Sequence, residues 1–104
     1  MRMDIERIFL TGLAEQDDET EIADGSTDVI VSFRNGDRYA ASFLSYDAVA
    51  RLRQEHLQSG DFLKGKYLWI NNLLLIESCN RQTIDEVVDF LLDEGDFPMV
   101  FRKL

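Results

Sequence analysis

The residue types that most often carry out catalysis are scarce in this chain. His56 is the only histidine and Cys79 is the only cysteine. The two would form a nucleophile and its base only if their side chains met, and no local motif predicts that they do. One histidine and one cysteine also provide no metal-ligand spacing. We therefore predict that the protein has no catalytic residue, no metal and no cofactor.

Carboxylates are plentiful, but they form no recognisable catalytic or calcium-binding motif. Adjacent acids occur, for example at Asp17-Asp18, Asp85-Glu86 and Asp93-Glu94. The run 17–21 lacks the central glycine and the closing glutamate of an EF-hand loop. Gly60 and Gly65 stand alone, so the chain has no glycine-rich phosphate loop. We predict that these acids lie on the surface.

The distribution of charge narrows the class of partner. The formal net charge is −9, which argues against a nucleic-acid-binding protein. Acids are concentrated in residues 8–33 and 82–101, where there is no lysine or arginine, while residues 34–81 are mildly basic. Such runs are most often solvated faces, and the alternative is a surface that binds a basic protein. We predict a non-enzymatic protein-interaction module, either an immunity-type inhibitor or an adaptor.

Two kinds of residue are candidates for that partner-binding surface. Acids are suited to a basic partner, and exposed arginine and tryptophan are common at interface hot spots. The candidates are Asp17, Asp18, Glu19, Glu21, Arg34, Arg38 and Trp69. A core position is the commoner role for Trp69 and Tyr67, and Arg34 and Arg38 have the alternative of pairing with Asp37. The second hypothesis is a small ligand-binding domain or enzyme with a pocket near His56, Tyr67 and Trp69.

Length and composition predict one domain over residues 1–104. No segment approaches 18 apolar residues, so we expect no membrane span, and the acids near the start are unlike a signal peptide. A single cysteine is typical of a reducing compartment, so we predict a cytoplasmic protein. It is expected to be a monomer, or a homodimer joined through an edge strand such as residues 99–101 or the N-terminal strand.

The segment 28–43 supplies the largest block of alternating apolar residues and predicts a β-hairpin. Asn35-Gly36 is a strong turn signal because both residues tolerate positive φ. A three-residue loop with Gly36 in a bulge would pair Val31 with Tyr39 and place the large apolar side chains on one face. A two-residue loop would place apolar and polar side chains on the same face of the hairpin. Burial of one apolar face therefore favours the bulged turn.

The remaining elements follow from periodicity and caps. We predict a strand within residues 3–13, an acidic loop at about 14–27, and a helix capped by Ser45 and ended by Gly60. Its buried stripe would contain Tyr46, Val49, Leu52 and His56. Residues 60–66 are predicted as a turn.

The second half alternates short apolar runs with one amphipathic helix. Residues 67–70 and 73–76 are predicted as a hairpin around Asn71-Asn72 or as one bent strand, with 73–76 central in the sheet. A capping box at Thr83 and Glu86 starts a helix that Gly95 ends. Its apolar stripe comprises Ile84, Val87, Val88, Leu91 and Leu92. Residues 99–101 are predicted as a short edge strand.

This order of elements predicts an α+β fold. We expect a mainly antiparallel sheet of about five strands with two helices packed on one face.

Several turn and aromatic positions stand together in a pattern. They are Asn35-Gly36 through Phe43, Gly60 through Gly65-Lys66-Tyr67-Leu68-Trp69, residues 73–76, and Glu94-Gly95-Asp96-Phe97. In this pattern, over about residues 28–101, the chain resembles a group of small bacterial proteins with no assigned activity. The resemblance implies a shared fold and brings no catalytic residue. Some proteins of this size and acidity are immunity partners of bacterial toxins, which is the role that the resemblance implies. The acidic loop lies outside the matched part.

Overall fold

The computed structural model describes residues 4–12 and 21–104. Within them the strands are β1 (Ile5–Leu10), β2 (Ser26–Phe33), β3 (Arg38–Ser45), β4 (Leu73–Ile76) and β5 (Arg102–Lys103). The helical segments are α1 (Tyr46–Ser59), α2 (Asp61–Gly65), α3 (Arg81–Glu94) and α4 (Phe97–Val100). No helix in these described ranges is long and apolar enough to cross a membrane.

The predicted α+β class is confirmed. The strand order is β1-β2-β3-β4, and β5 also pairs with β3. The pairs β1–β2, β2–β3 and β3–β5 are antiparallel, whereas β4 runs parallel to β3. The strand predicted within residues 3–13 is β1. β3 is thus the strand to which three of the other four attach.

The bulged hairpin is confirmed in its register. Val31 lies opposite Tyr39, and the Phe33 N–H donates to the Asp37 carbonyl (2.8 Å). Gly36 has φ +96°, and the Asn35 side-chain oxygen accepts from the Asp37 N–H (2.9 Å). Burial of one apolar face selected this register, because a one-residue slip would have turned that face to solvent.

The core lies between the inner face of the sheet and α3. The predicted stripe of α3 is confirmed, with Ile84 and Val88 fully buried. Gly95 ends the helix with φ +82°, and the Asp96 N–H bonds to the Leu91 carbonyl as in a Schellman motif. The buried cluster comprises Ile8, Leu10, Ile22, Val29, Val31, Ala41, Phe43, Ile76, Cys79, Ile84, Val88, Phe97 and Phe101.

The start of α3 lies one turn earlier than predicted. Asn80 is the N-cap, and its side-chain oxygen accepts from the Thr83 N–H (2.8 Å). Asparagine is a stronger N-cap than threonine, and the two residues after it readily enter a helix. Thr83 is therefore a first-turn residue and not the cap.

The strand predicted at residues 99–101 is wrong, because Phe97–Val100 form α4 and Phe101 ends it. Phe97 and Phe101 are four residues apart and both buried, and their rings stack with centroids 4.3 Å apart. A helical turn brings such a pair together, whereas a strand would hold the two residues far apart. The short strand follows at β5, which pairs with Tyr39 and Ala40 of β3. The predicted dimer edge at 99–101 is therefore not a strand.

The second predicted hairpin is absent. Residues 67–70 form no strand, and Asn72 takes φ +55° to turn the chain into β4. The Asn72 side-chain amide holds this turn by donating to the Val100 carbonyl (2.9 Å). β4 is expected to be central, but among the strands of the described residues it pairs only with β3, and Leu75 is exposed. The apolar run 73–76, which does not alternate with polar residues, is therefore a strand whose side chains are only partly buried.

Residues 21–25 are a loop, as predicted, but this loop is packed against the core. Residues 13–20 lie outside the described residues, and β2 begins at Ser26. Ile22 is buried in the core, and its N–H donates to the Cys79 carbonyl (2.9 Å). One buried isoleucine is thus enough to fix residues 21–25 of this acidic segment against the chain just after β4.

The boundaries of α1 are confirmed, but its buried stripe is not. Ser45 caps it by accepting from the Ala48 N–H (3.0 Å), and Gly60 ends it with φ +90°. Ala48 is its only buried residue, while Tyr46 is exposed and Val49, Leu52 and His56 are half-buried. The reason is that this stripe faces α2 and the segment after it.

Candidate functional site

The candidate acids before β2 have different outcomes. Asp17, Asp18 and Glu19 lie outside the described residues. Glu21 is described, and its carboxylate accepts the Cys79 N–H (2.7 Å). Glu21 therefore anchors its own segment to the chain, whatever it presents to a partner.

Arg34 and Arg38 flank the turn of the β2–β3 hairpin, and both are exposed. The Arg34 N–H donates to the Asp4 carbonyl (2.9 Å), and the Arg38 carbonyl accepts the Leu104 N–H (2.8 Å). Asp37, between them in sequence, forms an ion pair with Lys103 (3.5 Å). The structure thus brings two arginines and one lysine to the same end of the sheet.

Trp69 and Tyr67 are not in the core. Trp69 is 73% exposed, and Tyr67 is also exposed, on the connection between α2 and β4. The core interpretation of these residues is therefore wrong, because residues 67–70 do not enter the sheet. The aromatic side chains remain available for binding.

Cys79 and His56 form no catalytic pair. The Cys79 thiol is buried and donates to the Gly25 carbonyl (3.2 Å), whereas His56 packs against the Phe62 ring (4.8 Å between centroids). Burial, followed by the negative charge of Glu21, raises the pKa of Cys79 to about 11. A thiol with this pKa stays protonated at neutral pH and is a poor nucleophile.

Residues 4–12 and 21–104 contain no group of three or more histidine, cysteine, aspartate or glutamate side chains that could hold a metal ion.

The outer face of α3 combines an exposed aromatic ring with acids. Phe90 is 64% exposed on the side of the helix away from the core. Glu86 is four residues before it, and Asp93 and Glu94 are three and four residues after it, so all three lie beside the ring. The three acids are exposed. We call Glu86, Phe90, Asp93 and Glu94 the acidic face.

The placement of these acids runs against the helix dipole. The first turn of α3 has no acid and its last turn has no base, while Asp93 and Glu94 occupy the C-terminal end. A negative charge there is destabilising, because the last carbonyls already carry partial negative charge. Helix stability therefore gives no reason for the acids to be at this end.

Sequence reasoning did not select Phe90. The signal was present, since Phe90 falls outside the stripe of Ile84, Val88 and Leu91 on a 3.6-residue helix. An aromatic residue off the buried stripe of a confidently placed helix is expected to be exposed, and this position could have been derived from periodicity alone.

A separate concave surface lies between α1 and the segment after α2. It is a cavity of about 400 Å³, which we call the arm cavity. It is lined by Val49, Leu52, Arg53, His56, Gly65, Lys66, Tyr67 and Leu68. Two of the three residues of the alternative pocket hypothesis, His56 and Tyr67, are in this lining.

Comparison with protein families, curated proteins and solved structures found no match to this chain.

Proposed function

We propose that this protein is a non-enzymatic interaction module that binds a basic protein partner through the acidic face. The observation that carries the proposal is the exposed Phe90 ring bordered by three acids, two of which, Asp93 and Glu94, lie at the C-terminal end of α3 where negative charge is disfavoured. An immunity-type inhibitor of a basic enzyme or an adaptor would both use such a surface. The single cysteine is consistent with action in the cytoplasm.

The two components of the face have different roles. A buried aromatic ring at the centre of an interface contributes most of the affinity, while a charged rim contributes speed and selectivity. Acids on the approaching surface steer a basic partner, so association should slow as salt rises. Asp17, Asp18 and Glu19 have the same sign of charge and would add to this long-range field.

The test compares two variants that lose the same three charges. In the first, Glu86→Gln, Asp93→Asn and Glu94→Gln neutralise the acidic face. In the control, Glu6→Gln, Asp47→Asn and Glu55→Gln neutralise exposed acids on other elements. Both immobilised variants and the wild-type protein are exposed to lysate of the source organism, and the captured proteins are quantified by mass spectrometry at low and high salt.

We expect one basic protein whose capture falls at least about tenfold with the acidic-face variant and with Phe90→Ala, while the control variant retains it. The association rate of that purified protein should also fall with salt. Equal loss by both triple variants would mean that only net charge matters, and unchanged capture would refute the proposed surface. Unfolding of the acidic-face variant should be no easier than that of wild type, since the dipole clash is removed.

A further inference from the structure

We propose that the arm cavity is a binding site for an anionic amphipathic small molecule, one with an apolar or aromatic body and a single carboxylate, sulfonate or phosphate group. The site is independent of the acidic face and does not rest on the proposed function. Three features of the cavity support an anionic ligand: its apolar lining, the positive charges around it and the backbone that forms one wall.

The apolar lining of the cavity comes from a helix stripe that the core does not use. Val49 and Leu52 of α1 are half-buried, and Leu68 of the following segment is half-buried opposite them. These side chains belong neither to the buried core cluster nor to the hydrophobic residues packed against it. The helix therefore presents, outside the core, an apolar surface that lines the cavity. A cavity of about 400 Å³ is within the size range of small-molecule sites.

The charge at the cavity is opposite to that of the chain as a whole. Arg53 and Lys66 line it together with His56, and none of its lining residues is an acid. In a chain with a formal net charge of −9, two permanent cations at one apolar cavity make a local positive site. Charge complementarity therefore points to an anionic ligand head group, with Arg53 suited to bidentate contact and Lys66 to a single oxygen.

Gly65, Lys66 and Tyr67 form the cavity wall opposite α1, and the segment that leads into this wall has an unusual backbone. Phe62, Leu63 and Lys64 of α2 all have left-handed conformations, with φ between +52° and +59°. The Phe62 ring contacts both His56 and Tyr67, with centroid distances of 4.8 and 5.3 Å. Successive non-glycine residues in this region are strained, and such strain is concentrated at ligand-binding and functional segments.

Gly65 holds this wall close to α1. Its φ is +80°, and a Cβ placed there would lie 2.9 Å from the Arg53 carbonyl oxygen. The close approach of the two backbones brings Lys66 and Tyr67 over the stripe of α1. The wall is therefore fixed by main-chain geometry before any ligand arrives, which lowers the entropy lost on binding.

The experiment uses two aromatic probes that differ in charge. The anionic probe is 1-anilinonaphthalene-8-sulfonate, and the neutral probe is N-phenyl-1-naphthylamine, which lacks the sulfonate. Binding to the full chain is measured by probe fluorescence and by quenching of Trp69, the only tryptophan. The site is located by shifts of the Gly65 and Leu68 amide signals in two-dimensional NMR spectra.

Three variants separate the cavity from general surface charge. Arg53→Gln with Lys66→Gln removes the two lining cations, and Lys64→Gln with Arg51→Gln removes two cations that do not line the cavity. Leu52→Trp places bulk within the lining. NMR spectra of each free variant confirm that it is folded before binding is compared.

We expect the anionic probe to bind wild type with higher affinity than the neutral probe. The variant Arg53→Gln with Lys66→Gln should weaken binding of the anionic probe at least about tenfold, with little change for the neutral probe. The control variant, Lys64→Gln with Arg51→Gln, should show no comparable change. Leu52→Trp should weaken both probes. The proposal would be overturned if the anionic probe does not bind or if the neutral probe binds more tightly. It would also be overturned if the two double-charge variants have equal effects, or if the NMR shifts are confined to residues outside the cavity.

Discussion

Two helices of equal length behave differently in this molecule. α1 and α3 each have 14 residues, a side-chain N-cap and a left-handed glycine at the end. α3 has Ile84 and Val88 fully buried, whereas α1 has only Ala48 buried and turns its apolar stripe toward α2. An amphipathic pattern therefore shows that a helix has an apolar side, but not which element will cover it.

The difference divides the molecule into a packed body and a less buried arm. The body is the sheet with α3 and α4, and its core is continuous across these elements. The arm, which we define as residues 46–70, contributes no residue to that core. We expect the body to determine global stability and the arm to open locally at lower free energy.

The largest expected effect contrasts one apolar truncation in each helix. Ile84→Ala in α3 should lower the free energy of unfolding by about 2–5 kcal/mol, because it leaves a cavity in the core. Leu52→Ala in α1 should cost less than about 1 kcal/mol, since the side chain is only half-buried. Urea denaturation followed by circular dichroism measures both. Similar losses in the two variants would contradict the division into body and arm.

The second test asks whether the body excludes water. At pH 8 the native Cys79 thiol should react with a disulfide reagent at least about 100-fold more slowly than in the urea-unfolded chain, because its pKa is raised from 9.0 to about 11 by burial and by Glu21. The thiol introduced by Ser59→Cys, at an exposed position at the end of α1, is the control and should react at the unfolded rate. If Cys79 in the folded protein reacts as fast as the thiol introduced by Ser59→Cys, the core is open to the reagent.

The same pKa shift predicts the direction of an alkaline effect. Between pH 9 and 11 the unfolded chain loses the thiol proton while the folded chain keeps it. The folded state then binds more protons, so its stability declines as pH rises through this range and is unaffected by this group below pH 9. Comparison of urea midpoints for wild type and Cys79→Ala at pH 8 and 10.5 isolates the contribution.

The smallest expected effect is a change in the local stability of the arm. Leu63→Gly should stabilise the arm locally by up to about 1 kcal/mol, because Leu63 is 68% exposed and its left-handed conformation is costly for any residue but glycine. Hydrogen exchange of α1 amides should slow, while exchange in α3 is unchanged. Gly65→Ala is the matched opposite, and faster exchange in α1 is expected. If the two variants change hydrogen exchange in α1 in the same direction, the left-handed conformation of this turn would be contradicted.

The sequence was most informative where local geometry and burial agree. The hairpin register followed from Gly36 and the alternation of apolar residues, and the end of α3 followed from Gly95. Each signal is local. Only one hairpin register allows both the turn at Gly36 and the burial of the apolar face, and only one helix end allows both the turn at Gly95 and the burial of the α3 stripe.

Prediction failed where tertiary contacts decide between local alternatives. Residues 99–101 fit a strand until the stacking of Phe97 on Phe101 is known, and residues 67–70 have strand-like composition but meet no strand edge. For the candidate sites, the acidic composition was evident in the sequence. The exposure of Phe90 follows from helical periodicity. The exposure of Trp69, and the position of Arg53 and Lys66 at one cavity, depend on packing that no single-sequence pattern specifies.

The central position of β3 has a consequence for the order of folding. β2 and β3 are joined by a tight turn, so their pairing requires closure of only a short loop. β4 reaches β3 only after the chain has passed through the whole arm, and β5 arrives after α3 and α4. On the ribosome, we therefore expect the hairpin to form early, with one edge of β3 left unpaired until the last segments emerge and complete the sheet.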